Sequence, residues 1–112
     1  MLLPNPDRAL VDPGKIRDYV LSPEHPVGRF KAVVFQNAGY RRAEWEILQA
    51  DLAATARLDA QLEAQTPFGQ KYEVRAILRG PDGRDLAVVV VWLVRRGEDF
   101  PRLVTVYPRS RQ

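Results

Sequence analysis

The run Leu86 to Val94 constrains this chain more than any other stretch: nine consecutive apolar residues, five of them valine. β-Branched side chains lose rotamer freedom in a helix and pack well on a pleated surface, so this composition favours a strand over a buried helical segment. Pro81-Asp82-Gly83 supplies a turn before it and Arg96-Gly97-Glu98-Asp99 a turn after it. A strand that is apolar on both faces must be interior, with a neighbour on each side. Candidate neighbours flank it. Tyr72, Val74, Ala76 and Leu78 alternate with Lys71, Glu73, Arg75 and Arg79, which is the pattern of a strand with one wet face. Gly80-Pro81-Asp82-Gly83-Arg84 joins the two as a hairpin, and a further antiparallel strand is expected from about Arg102 to Tyr107.

The first half reads as helical. Met1 to Asp7 is a Pro-rich lead-in, and Arg8-Ala9-Leu10-Val11 adds a short edge strand. Asp12-Pro13-Gly14 opens a helix, Asp as N-cap and Pro at the first position, that runs to about Leu21 with Ile16, Tyr19 and Val20 on its apolar side. Residues 22–28 hold two prolines and a glycine and form a shaped loop. A second helix starts at Arg29, with Phe30, Val33 and Val34 as its stripe and Gly39 as its left-handed C-terminal cap. A third runs from about Arg42 to Arg57, with Ala43, Ile47, Leu48 and Leu52 along one side. Residues 59–66 allow either an extension of that helix or an edge strand, since Ala60, Leu62 and Ala64 alternate with Gln61, Glu63 and Gln65; the strand is preferred. The expected fold is α+β: two or three N-terminal helices packed on one face of a twisted antiparallel sheet of three to five strands.

A chain of 112 residues is most simply one domain, residues 1–112. Its longest apolar run falls far short of the roughly 18 residues a membrane span needs, and no charged start or cleavable leader precedes Pro4-Asn5-Pro6, so the expected setting is cytoplasmic, away from membrane. The absence of cysteine rules out disulfides, thiolate chemistry and Cys-based zinc sites, and one histidine leaves no His pair for a transition metal. A carboxylate-bound Mg²⁺ or Ca²⁺ stays open, although no clustered acidic motif suggests one, and no metal or cofactor is expected. Phosphate-binding Gly-x-x-x-x-Gly-Lys, Gly-x-Gly-x-x-Gly and Gly-x-Ser-x-Gly patterns are absent, and Ser22 and Ser110 give no support for a Ser-His-Asp triad. Trp45 and Trp92 read as core.

The net charge of +3 is unevenly placed. Residues 1–56 carry seven basic and seven acidic groups and residues 57–112 carry ten and seven, so the whole excess lies in the sheet half. Arginine supplies 14 of the 17 cations, which reflects either a GC-rich genome or a use for planar forks that suit phosphate. The residues that could carry chemistry are His25 and Lys31 from the helical half and Arg75, Arg102, Thr105 and Tyr107 from the sheet. Strict alternation puts Leu103, Thr105 and Tyr107 on one face of the last strand and Arg102, Val104 and Val106 on the other. His25 titrates near neutrality when unperturbed and sits in a Pro-flanked loop before a helix whose first amides attract anions, and Gly28, Arg29 and Lys31 would thicken a phosphate site there. Each residue also has an ordinary structural reading: a loop histidine bonded to backbone, solvated helix cations, a strand Thr and a half-buried Tyr.

Lys15-Ile-Arg-Asp-Tyr19-Val-Leu, Pro23-Glu-His25-Pro-Val-Gly28-Arg-Phe-Lys31-Ala, Tyr72-Glu-Val, Gly80-Pro-Asp-Gly83-Arg, Val91-Trp92-Leu and Gly97-Glu-Asp-Phe-Pro101-Arg-Leu-Val-Thr-Val-Tyr107-Pro together resemble an uncharacterised bacterial domain family. That family occurs as small proteins, often beside another small open reading frame, and at the C-termini of polymorphic toxins, and it has no assigned activity. The layout is in turn similar to metal-independent ribonuclease toxins of the barnase, EndoU and RelE-like grouping. This second resemblance implies RNA cleavage by attack of the ribose 2′-hydroxyl on the adjacent phosphorus. His25 would transfer a proton, Lys31, Arg75 and Arg102 would hold the phosphorane, and Thr105 or Tyr107 would orient it or act as the second acid. The alternatives are a non-catalytic module that binds a cognate small protein from a neighbouring gene, in the manner of an antitoxin or immunity protein, and a non-catalytic nucleic-acid binder.

Overall fold

Asp12 accepts a hydrogen bond from the Gly14 amide at 2.8 Å and Pro13 takes the first helical position, so the chain enters a helix where its sequence directs it to. The computed structural model describes residues 1–22, 24 and 29–109. Helix α1 (Pro13–Lys15) continues as a π-helical stretch, Ile16–Val20, in which Leu21 donates to the Ile16 carbonyl at 2.9 Å. Helix α2 (Arg29–Asn37) and helix α3 (Trp45–Thr55, preceded by a 3₁₀ turn at Arg42–Glu44) complete the helical layer. Four strands follow: β1 (Gln61–Thr66), β2 (Gly69–Arg79), β3 (Asp85–Arg95) and β4 (Arg102–Pro108). They form an antiparallel meander in the order β1-β2-β3-β4, so the fold is α+β and residues 61–66 are strand. No described helix is long and apolar enough to cross a membrane.

The apolar run is interior. β3 pairs with β2 along its whole length and with β4 on the other side. Its inner face, Val88, Val90 and Trp92, joins Tyr72, Val74, Ala76 and Leu78 of β2 and Ile16, Val20, Phe35, Leu48 and Leu52 of the helices in one core. On the opposite face Ala87, Val89 and Val91 are also buried, and their cross-strand partners there are Ile77, Arg75, Glu73, Thr105 and Tyr107. The expected edge strand at Arg8 to Val11 shrinks to one parallel bridge, Leu10 with Arg102, on the free edge of β4.

Three sequence expectations are corrected. Helix α2 buries Ala32, Phe35 and the following Ala38, while Val33 is 57% exposed, so its inward stripe is not the one marked by valines. Apolar residues occupy most of the circumference of α2, and tertiary contact selects the stripe: Gly39 (φ +96°) ends the helix against the β2–β3 turn, where the Asp82 amide donates to the Ala38 carbonyl. In α3, Leu48, Leu52 and Thr55 face inward, while Ile47, and Ala43 in the 3₁₀ turn before it, are exposed. In β4 a bulge at Val104 breaks the alternation: Val91 pairs with Thr105 but Trp92 with Leu103. The extra residue reverses parity below it, so Leu103 turns into the core beside Val106 and Arg102 moves to the outer face beside Leu93.

Candidate functional site

Bulge, helix and edge together make a cleft. The free edge of β4 is covered by Leu10 only at Arg102, and beyond that point α1 and α2 approach it. A cleft of about 490 Å³ opens between α1 with its π-helical extension and β4, lined by Asp12, Lys15, Tyr19, Val104 and Thr105 among others. From α2, Lys31 Nζ donates to Thr105 Oγ1 at 2.9 Å and to the Tyr19 hydroxyl at 3.4 Å, and it lies 4.9 Å from the Tyr19 ring centroid, within cation–π range. Lys15 Nζ donates to the Val104 carbonyl at 3.2 Å. Among the described residues no carboxylate forms an ion pair with Lys31 or Lys15, and an ammonium carries three donors. Asp18, the nearest acid on the helix, is engaged by Arg17 and Arg42 at 3.1 and 3.3 Å; the Arg17 hydrogen bond holds its carboxyl below the usual range.

Of the residues singled out from the sequence, Lys31 and Thr105 meet directly. Tyr107 and Arg75 form a second group on the outer sheet face, flanking Val89 in one cross-strand row. The Tyr107 hydroxyl donates to Glu73 at 3.4 Å, and burial, then the Glu73 charge, raises its pKa. Arg102 has its fork occupied: Nε and Nη2 bond the two Glu98 oxygens at 2.8 and 2.7 Å, and its guanidinium lies 5.2 Å from the Phe100 ring centroid. The Arg102 hydrogen bond in turn lowers the Glu98 pKa. Arg29 opens α2, and His25 and Gly28, like the Arg29 side chain, lie outside the described residues. Two cleft residues escaped the sequence reading as site candidates, Lys15 and Tyr19. Their spacing of four, one helical turn apart and just past the N-cap, was the available signal.

Lys15, Tyr19 and Thr105 line the open cleft together with the carboxylates Asp12 and Asp18, and Lys31 reaches its Tyr19 and Thr105 hydroxyls from α2. Comparison with known proteins bears on the fold. The chain is similar to a chain of the contact-dependent growth inhibition toxin–immunity protein complex from Klebsiella pneumoniae 342, with a TM-score of 0.74 and 14% identity over 95% of this chain and 97% of that one. At that identity the likeness is one of architecture. No curated protein matches the chain in sequence. A family model does, over residues 2–110, a span that takes in both walls of the cleft and the whole sheet, and the chain therefore belongs to the family described as "Domain of unknown function (DUF6883)".

Proposed function

We propose that this domain is a toxin-type, metal-independent ribonuclease of the bacterial cytoplasm, and that the Lys31–Thr105 cleft receives the scissile phosphate. The observation that carries this reading is Lys31 itself: a cation without an acidic partner among the described residues, held by Thr105 Oγ1 at 2.9 Å over the Tyr19 ring. A lysine meant for structure alone gains most from a carboxylate. One held by neutral hydroxyls keeps its full charge for a ligand, and a lysine is a compact point charge for phosphate. The architectural likeness to a chain of a toxin–immunity complex fits this reading and the immunity-partner reading alike.

In this reaction the ribose 2′-oxygen attacks phosphorus and its proton passes to a base. The P–O5′ bond breaks, the 5′-oxygen takes a proton from an acid, and the products end in a 2′,3′-cyclic phosphate and a 5′-hydroxyl. Lys31 neutralises the charge that grows on the phosphorane, and Thr105 holds its ammonium in place. His25, six residues before Lys31, is the proton-transfer group in this scheme. Arg102 takes no part, because Glu98 already fills its fork.

The test is cleavage of single-stranded RNA with chelator present, with product ends identified. Lys31→Gln and His25→Ala should each lower the rate by roughly 10² to 10⁴ with melting temperatures unchanged. Absence of cleavage by the wild type from pH 5 to 9, or undiminished cleavage by both variants, would remove the catalytic reading. A protein-binding module would then be favoured, meeting a cognate small protein through the uncovered sheet face, where Ile77 is 55% exposed beside the Arg75–Tyr107 row. Growth of cells expressing the chain with and without its neighbouring gene separates the two, since a toxin arrests growth alone and an immunity partner does not.

A further inference from the structure

The Lys31–Thr105 cleft does not end at Val104. A second hollow adjoins it, lined by Asp12, Lys15, Leu93, Arg95, Arg102 and Val104 among others, and this runs into a third, of about 560 Å³, lined by Phe68, Lys71, Leu93, Arg95, Arg96 and Val104 among others. All three share the bulged residue Val104. Lys71 and Leu93 are paired in register and Leu93 pairs with Arg102, so the track crosses from the edge of β4 over β3 to β2, about 10 Å at the usual spacing of strands.

Cations outnumber acids along this track, where Asp12 lines the second hollow and the Arg95 charge acts on Glu98. Lys15, Lys71, Arg95 and Arg96 enter no ion pair among the described residues. The acids nearby are occupied: Asp12 caps Gly14, Glu98 holds Arg102 and Asp99 holds Arg8. At the far end Phe68 is 74% exposed. Its turn is nevertheless pinned, since Thr66 Oγ1 accepts from the amides of Phe68 and Gly69, both at 3.2 Å, and Arg96 donates its amide to the Phe68 carbonyl at 3.0 Å. A large aromatic ring held in water on a fixed turn, beside cations that make no ion pair among the described residues, has the make-up of a stacking platform for an unpaired base.

We propose that this groove binds single-stranded RNA beyond the scissile phosphate, with a base stacked on Phe68 and the backbone followed by Lys71, Arg95 and Arg96. Bases in a duplex keep their faces covered, so the ligand is single-stranded. The inference deepens the ribonuclease reading and rests on it for the direction of the strand, but binding can be measured without cleavage.

The probe is a fluorescent 2′-O-methyl oligonucleotide of about ten residues, whose attacking hydroxyl is blocked, titrated by anisotropy against wild type, Phe68→Ala and Arg96→Gln. Phe68→Ala should weaken binding about tenfold or more, the contribution of one stacked base. Arg96→Gln should reduce the salt-dependence slope by about 0.7, one phosphate contact to a single strand. Cleavage of a dinucleotide, too short to reach Phe68, should be unchanged by Phe68→Ala. Wild-type affinity in both variants overturns the groove, even if the protein cleaves RNA. So does equal binding of polyglutamate, which would mark the patch as the seat of an acidic protein. Phe68-dependent binding by a wild type that cleaves nothing sustains the groove and removes the ribonuclease reading instead.

Discussion

Trp92 has no exposed surface, and its indole N–H has no hydrogen-bond partner among the described residues. The ring therefore contributes through packing, offset by one unsatisfied donor. Trp92→Ala should cost about 3 to 5 kcal/mol in a urea titration, whereas Trp92→Phe, which removes the donor and keeps an aromatic ring, should cost less than about 1.5 kcal/mol. Tyr40 is the converse case, buried at 1% exposure with its hydroxyl donating to Asp51 Oδ2 at 2.6 Å. Burial, then the bond to Asp51, pushes its phenol well above the ordinary range. A folded-state pKa above the unfolded one means the native protein holds the proton more tightly, so this stability is full below about pH 10 and is lost as pH rises further. Tyr40→Phe should lower stability near neutral pH by about 1 to 2 kcal/mol and flatten the decline above pH 10, as read from denaturation midpoints across pH 7 to 11.

At the scale of elements, the β2–β3 hairpin both turns the chain and seats the end of α2. Gly80 is required for the seat, because a Cβ there would lie 1.9 Å from the Ala38 carbonyl oxygen. Gly83 is required for the turn, with φ +87° and nothing within 4 Å of a built Cβ. Gly80→Ala should therefore cost about 2 to 3 kcal/mol by forcing helix and turn apart, and Gly83→Ala about 1 kcal/mol of left-handed strain, both measurable as shifts in chemical denaturation. The turn itself was legible in Gly80-Pro81-Asp82-Gly83, because turn chemistry is local. The rotation of α2 was not, because Ala32 and Val33 are both apolar and tertiary contact decides which of them is buried.

Across the whole molecule, the candidate cleft joins residues distant in sequence: Lys31 reaches 12 positions back to Tyr19 and 74 forward to Thr105. The sequence by itself determined the parts whose causes lie within a few residues. These are the interior strand Leu86 to Val94, the Asp12–Pro13 helix start, the period-2 pattern of β2 and hence the α+β class. It also proposed Lys31, as a cation at a helix start, and Thr105, as a polar residue in a sheet that could have been wholly apolar, and the fold brings these two side chains within 2.9 Å. Only the tertiary structure decided which faces those elements present. The Val104 bulge reversed the parity of Leu103 and Arg102, since an extra residue in a ladder appears only once its partner strand is in place. Glu98 paired with Arg102, while α1 and its π-helical extension brought Lys15 and Tyr19 to the edge of β4. Alternation and capping are set by backbone geometry over one or two turns, whereas helix rotation, strand parity and ion pairing depend on what lies opposite, and that partner is specified by the whole chain at once.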